Sequence, residues 1–291
     1  MIENEKEIAD IFNDYFIEKI VTLKRNINKE YVKDPLEKLK RKMERKNLKF
    51  KLKTVTEKKV KKAMLSLKKK KSAGKDGISQ EQIVLGTDVL VIPLTRIINN
   101  SISTGVVPEA WKEAIVTPIL KKGDPKKKEN YRPVSCLAVA SKVMERIVCD
   151  QVTRFFEVHG LLPDNQHGFR AKRSTMTALA AMQEDWVKNW DNREMTGILL
   201  WDLSAAYDTL DPNLLCEKLK IYGFDQSTCA WFKSFLTGRR QCVRIGISNL
   251  KTQRHWIRGS PGWNTVSYNL HSIWCRSRGL DKELNDFQFC R

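Results

Sequence analysis

Apolar residues recur at helical spacing along much of this chain. Ile8, Ile11, Phe12, Tyr15, Phe16 and Ile20 fall on one face and predict an amphipathic helix at the start. A basic stretch follows from Lys24 to about Lys49. Pro35 interrupts it and Leu36, Leu39 and Met43 give it a thin apolar stripe, which fits a linker or a charged helix. Thr54-x-x-Glu57 resembles a capping box ahead of a helix with Val60, Ala63, Met64 and Leu67 on one side. Val143, Met144, Ile147, Val148, Val152, Phe155 and Phe156 predict another helix, and Ser174 is placed to cap one running through Trp186. Asp211 before Pro212 starts a helix with Leu214, Leu215 and Leu219 inward and Gly223 at its end. Ser227 is predicted to cap the next, which carries Trp231, Phe232 and Phe235, with Gly238 beyond it.

Strand signals are fewer. Ala114 to Leu120 is a β-rich run, Lys121 to Glu129 a polar loop, and Asn130 to Ser135 a return, together a flap of two strands. Gly197-Ile198-Leu199-Leu200-Trp201 reads as a short apolar strand that ends on Asp202, and Val243, Ile245 and Ile247 alternate as another. Lys71 to Ser79 is a Gly-rich turn between helices, whose glycine spacing does not suit a P-loop. There is no internal repeat.

Composition narrows the partners. The 291 residues are 41% hydrophobic and 30% charged, a globular balance. A net charge of +19 and a pI of about 9.6 favour a polyanionic partner, nucleic acid first, over a merely soluble basic surface. Between Lys51 and Lys71 ten lysines accompany one acid, and a solvated helix face and a template-contacting face both fit that stripe. No apolar run approaches the ~18–20 residues of a membrane span, and the acidic first residues do not suit a signal peptide. The seven cysteines (136, 149, 216, 229, 242, 275, 290) are odd in number, form no CxxC pair and do not cluster with the four histidines. That speaks against a zinc site or a disulfide frame and fits reduced thiols, hence an intracellular chain, nuclear or cytoplasmic.

A family resemblance emerges from motifs taken in order. These are Ser72-x-Gly74-x-Asp76-Gly77-Ile78; Trp111 through Thr117-Pro118 to Lys121-Lys122-Gly123-Asp124; Tyr131-Arg132-Pro133-Val134-Ser135; and Ser141-Lys142-x-x-Glu145-Arg146. Gln166-His167-Gly168-Phe169-Arg170 with Ser174-Thr175 comes next, then Asp202-Leu203-Ser204-Ala205-Ala206-Tyr207-Asp208. Leu219 to Gly223, Trp231-Phe232 to Gly238-Arg239, and Gly259-Ser260-Pro261 complete the series. From about Lys71 to Pro261 the chain resembles a reverse transcriptase of the non-LTR retrotransposon (LINE-like) type. The resemblance implies an α+β right-hand polymerase: fingers and a partial palm, helix-rich with a small antiparallel sheet. The expected organisation is a basic helical extension over residues 1–50, fingers over 51–180, partial palm over 181–261 and a divergent tail over 262–291.

The resemblance also assigns roles. Asp202 is the expected catalytic carboxylate and, with the Leu203 backbone carbonyl, a ligand of Mg2+. Two ions serve the family because phosphoryl transfer rests on positioning and charge neutralisation, and Mg2+ takes oxygen ligands. Tyr207 would lie under the incoming sugar and select deoxynucleotides, while Asp208 would cap or brace. Arg132 and one of Lys121 or Lys122 would reach the triphosphate, Arg as a planar fork and Lys as a point charge. Arg170, Arg173 and Lys75 would meet template backbone, and His167 would be a hydrogen-bonded structural residue. RNA template, DNA primer and dNTP are the implied partners.

The pattern breaks after Pro261. The family's Gly-x-Pro is followed by Gln-Gly; here the order is Gly259-Ser260-Pro261-Gly262-Trp263-Asn264. An aromatic followed by x-Asp-Asp is absent, and Asp281, Glu283 and Asp286 are candidates only through being acidic. The expectation is a truncated polymerase without its second carboxylate site or thumb, inactive alone. A non-catalytic RNA- or DNA-binding module and a translation product that does not fold stably are the alternatives.

Overall fold

The computed structural model describes residues 4–25, 34, 36–200, 210–246 and, as backbone, 257–258. Its helices are α1 (Glu5–Arg25), α2 (Glu37–Met43), α3 (Glu57–Leu65), α4 (Gln80–Leu85), α5 (Thr87–Thr104), α6 (Val139–Val158), α7 (Thr175–Asp191), α8 (Pro212–Ile221) and α9 (Gln226–Leu236). The strands are β1 (Glu113–Leu120), β2 (Tyr131–Leu137), β3 (Arg240–Val243) and β4 (Ile257–Arg258). They form one sheet in the order β2-β1-β3-β4.

The flap is present: β1 and β2 run antiparallel, with Leu120 opposite Tyr131 and Ala114 opposite Leu137. The sheet as a whole is mixed, not antiparallel as expected, because β1 and β3 are parallel from Glu113↔Arg240 to Val116↔Val243. Between β2 and β3 the chain passes through α6 to α9 and re-enters the sheet in the direction of β1. Parallel neighbours require such a crossover, whereas a tight turn can only make an antiparallel pair.

The main core lies among the helices. Val60 and Met64 of α3, Ile98 of α5, Val143, Met144 and Val148 of α6, Leu215 and Leu219 of α8, and Trp231 and Phe232 of α9 are fully buried in one cluster. Trp231 stacks on Phe235 at 5.3 Å between centroids, and its Nε1 donates to Ser101 Oγ at 3.0 Å. An indole with its only donor satisfied can be buried whole. Of the two forms open to the basic stretch, the charged helix is seen over Glu37–Met43, with Met43 buried. Phe50 then bonds across to the α8–α9 turn, its N–H to Gly223 O at 2.8 Å and its O from Asp225 N at 2.9 Å. Gly223 permits this: its φ is +85°, and a Cβ there would stand 1.9 Å from Leu48 O.

Helix starts follow the side chains that can reach the free N–H groups. Ser174 caps α7 in a capping box with Thr177, and Asp211 caps α8 through Asn213 N and Leu214 N, as the sequence indicates. The Thr54 box does not form; α3 begins at Glu57 behind Thr56, which makes no side-chain cap bond. Asp225, not Ser227, caps α9, accepting from Thr228 N at 2.9 Å and from Ser227 Oγ at 2.8 Å. The ionised carboxylate is the stronger acceptor, and it draws Ser227 into the first turn. Gly197 to Leu200 pairs with no strand among the described residues. Of the alternating run at the end, Val243 lies in β3, Ile245 beyond it, and Ile247 outside the described residues.

A second, smaller core forms where α1 crosses the sheet. Phe12 and Phe16 bury against Val116 of β1, flanked by Tyr131, Val243 and Ile245. Asn13 Oδ1 accepts from Gln241 Nε2 at 3.0 Å, so this buried polar pair is satisfied.

Candidate functional site

The flap ends in a loop held by its own backbone carbonyls. Lys121 N donates to Asn130 O at 2.8 Å, Asn130 Nδ2 to Asp124 O at 2.9 Å, and Tyr131 Oη to Pro125 O at 3.0 Å. Gly123 turns the chain at φ +85° beside the Asn130 side chain. These bonds leave Lys121, Lys122 and Arg132 on the surface, and none of the three makes an ion pair with another described residue. Ile119 lies opposite Arg132. With Lys126 and Lys127 of the same loop, which are also exposed and without an ion pair among the described residues, the three make the hairpin tip cationic, a charge suited to phosphate oxygens.

Lys75 sits elsewhere. Its ammonium pairs with the Glu113 carboxylate, whose other oxygen takes Arg240 Nη2 at 3.1 Å. Glu113 is 8% exposed in its side chain, so the buried carboxylate ties the Gly-rich turn to the first residues of β1 and β3. The template contact expected of Lys75 meets an ammonium already committed within the fold. Gly74, just before it, touches the β2–α6 junction: a Cβ there would lie 2.5 Å from Ala138 N.

Arg170 is also turned inward. Its Nε and Nη2 grip Glu157 at 3.0 and 2.8 Å, and Nη1 donates to Pro163 O at 2.7 Å. With its side chain only 12% exposed, it braces the loop after α6 and does not face solvent as a template contact would. Arg173 bonds once, Nη1 to Asp164 O at 2.7 Å, at the loop's exterior. Beside them Phe169 (φ +59°) and Lys172 (φ +63°) hold left-handed backbone, a conformation costing side-chain-bearing residues about 1 kcal/mol or more. Buried His167 shares a 2.8 Å hydrogen bond between Nδ1 and Thr177 Oγ1. Burial, then the charges of Arg173 and Arg170, lower its pKa, so it is neutral at pH 7.

Two other motif residues share the interior. Glu145 and Arg239 are both buried and are electrostatic partners. Burial raises the Glu145 pKa against the opposing pull of Arg239 and of the Ser141 hydroxyl, which donates to Oε1 at 2.9 Å. Arg239 donates Nη1 to Phe235 O at 2.8 Å and lies 4.9 Å over that ring. Sequence order alone gave no sign of this pairing. Ser135 Oγ, in β2, is buried with no hydrogen-bond partner among the described residues.

Asp202, Leu203 and Tyr207 lie outside the described residues. Among the described residues no group of three or more His, Cys, Asp or Glu side chains stands where a metal ion could be held. No described helix is long and apolar enough to cross a membrane.

Known proteins share this pattern. Residues 119–267 match the family described as "Reverse transcriptase (RNA-dependent DNA polymerase)". The "Probable RNA-directed DNA polymerase from transposon BS" of Drosophila melanogaster is 26% identical over 274 residues, 94% of this chain and 30% of that protein. The "Probable RNA-directed DNA polymerase from transposon X-element" of the same species is 28% identical over 205 residues, 70% of this chain and 22% of that protein. The "RNA-directed DNA polymerase from mobile element jockey", also from Drosophila melanogaster, is 28% identical over 225 residues, 76% of this chain and 24% of that protein. The chain therefore spans 30% or less of the length of each of these relatives.

Proposed function

This chain belongs to the reverse transcriptase family, in its non-LTR retrotransposon (LINE-like) branch, and on that premise we propose that it forms the fingers and part of the palm of an RNA-directed DNA polymerase. The observation that supports this best is the flap, where Lys121, Lys122 and Arg132 are exposed, without an ion pair among the described residues, in the family-matching segment. Arg132 and one of the two lysines take the triphosphate of the incoming dNTP. Tyr207 lies under its sugar. Arg173 meets template backbone, and Arg170 and Lys75 hold the loops that border it. Phosphate contacts of this kind position nucleic acid without reading its sequence. The domain limits follow the same reading: an extension over residues 1–50, fingers over 51–180 and partial palm over 181–261.

Asp202 and the Leu203 carbonyl are the oxygen donors this reading gives to Mg2+, which when bound neutralises charge on the phosphate oxygens. The sequence holds no aromatic-x-Asp-Asp segment. One carboxylate position facing a polyanionic triphosphate does not hold two ions in register, so this chain alone binds nucleotide and primer–template without extending the primer.

Primer extension with an RNA template, DNA primer, dNTPs and Mg2+, read beside equilibrium dNTP binding, tests both halves. The expected result is nucleotide binding that weakens in Arg132→Ala and no incorporation; incorporation that disappears in Asp202→Ala would overturn the claim of inactivity. A second reading, a non-catalytic nucleic-acid-binding module, is favoured by the lysines of and beyond α3, of which Lys58, Lys59, Lys62 and Lys68 to Lys71 are exposed. It expects RNA binding that weakens steeply with salt, is indifferent to Asp202→Ala, and has no accompanying nucleotide affinity.

A further inference from the structure

The flap is supported unevenly. β3 pairs with β1 only from Glu113 to Val116. The outer half of the hairpin, Thr117–Leu120 against Tyr131–Val134, has no further strand beside it among the described residues. Two strands alone are marginal in water, yet this half carries Arg132 and leads into Lys121 and Lys122.

What reaches it is α1. The Phe12 ring meets Tyr131 edge-on at 4.9 Å, and Lys128 Nζ of the flap loop lies 5.2 Å from the centre of the Tyr15 ring. The helix is itself anchored on the inner sheet by Phe16 against Val116 and by the Asn13–Gln241 hydrogen bond. Successive side chains of a strand point to opposite faces. Tyr131 is turned to α1, so Arg132 projects from the far face of the same strand. The helix therefore backs the surface opposite to the one that presents the cation.

We propose that α1 is a brace for the nucleotide-binding flap, with Phe12 and Tyr15 as positioning residues that act through Tyr131 and Lys128 on Arg132 and the two lysines. The proposal rests on the triphosphate role given above to Arg132. Without the brace the outer hairpin opens locally while the inner sheet and the helical core stay closed.

The test uses the full chain, amide hydrogen exchange, and equilibrium binding of dATP with Mg2+. In Phe12→Ala, amides of residues 117–134 exchange about tenfold faster, those of residues 113–115 and of the helical core change far less, and the dATP Kd rises about fivefold to tenfold. Phe12→Leu, which keeps apolar bulk, recovers most of both effects. Tyr15→Leu is a second probe at the helix rim; if Phe12→Ala lowers the melting midpoint of the whole chain, Tyr15→Leu gives the same comparison. Exchange and affinity at wild-type values in Phe12→Ala and Tyr15→Leu, with Arg132→Ala still weakening dATP, would overturn the brace alone. An Arg132→Ala chain that binds dATP as wild type does would remove the triphosphate role and the proposal with it.

Discussion

Arg170 grips Glu157 with two parallel bonds, Nε to Oε1 at 3.0 Å and Nη2 to Oε2 at 2.8 Å. The pair joins the end of α6 to the strained loop that holds Phe169 and Lys172. Glu157→Gln keeps the shape and removes the charge. We expect it to cost about 1–2 kcal/mol in urea unfolding, since the site is partly open to water. It should also raise protease cleavage between residues 166 and 174. If the arginine chiefly served nucleic acid, Glu157→Gln would leave stability alone and change only RNA affinity.

Gly74 is fixed by space. A methyl group there meets Ala138 N at 2.5 Å and Leu137 C at 2.7 Å, both backbone atoms that cannot swing aside. Gly74→Ala should lose about 3 kcal/mol, the upper end for overpacking a tight site. Gly77→Ala makes a contrast, because Gly77 has nothing within 4 Å but a φ of +72°. It should cost about 1 kcal/mol, from backbone conformation alone. Thermal melts of the two variants separate the causes.

Periodic burial made much of the fold legible in the sequence. Phe12 and Phe16, Val143 to Phe156, and Trp231 to Phe235 all fall inward as their spacing indicates. α5 was missed although Val91, Leu94, Ile98 and Ile102 recur at helical spacing and are buried. Pro93 inside the helix and its Thr and Asn residues blur that signal. The parallel β1–β3 pairing was not legible, because strand direction depends on the intervening helices and not on local alternation. For the site, motif order pointed to the flap cations. It could not show that Lys75 and Arg170 are committed to Glu113 and Glu157, since both carboxylates lie far off in sequence.

Glu145 and Arg239 share an interior that favours neither charge. Burial raises the acid's pKa and lowers the base's, so the pair is tolerated more than it stabilises. Arg239→Met leaves a buried carboxylate without its cation and should cost about 3 kcal/mol. Adding Glu145→Gln should return part of that loss. Because the folded pKa of Glu145 lies above its unfolded value, Arg239→Met should regain stability as pH falls toward that unfolded pKa. A double-mutant cycle in guanidinium, at neutral and acidic pH, measures the coupling.

Cys216 and Cys229 face each other's helices, Cys216 Sγ lying 3.7 Å from Cys229 O. Burial pushes the Cys229 thiol up to about 11 and raises Cys216 as well. Both should resist iodoacetamide at pH 8 in the native chain, because the thiolate is the reactive form. Among the described cysteines, Cys136 and Cys242, which are half-buried, should label first. Mass spectrometry of tryptic peptides reads the order, and early labelling of Cys229 would show that α8 and α9 separate readily.

His167 makes stability depend on pH in a defined direction. Its folded pKa lies below the unfolded value of ~6.5 because burial, then Arg173 and Arg170, disfavour the imidazolium. The unfolded chain therefore takes up the proton first. The contribution is complete above ~6.5 and declines as pH falls from there through the folded pKa. The melting temperature should drop between pH 7.5 and 5.5, and His167→Gln, which can still bond Thr177 but does not titrate, should flatten that part of the curve. A wild-type melting temperature that rises toward pH 5.5, with His167→Gln abolishing the rise, would mean that the ring is charged in the fold.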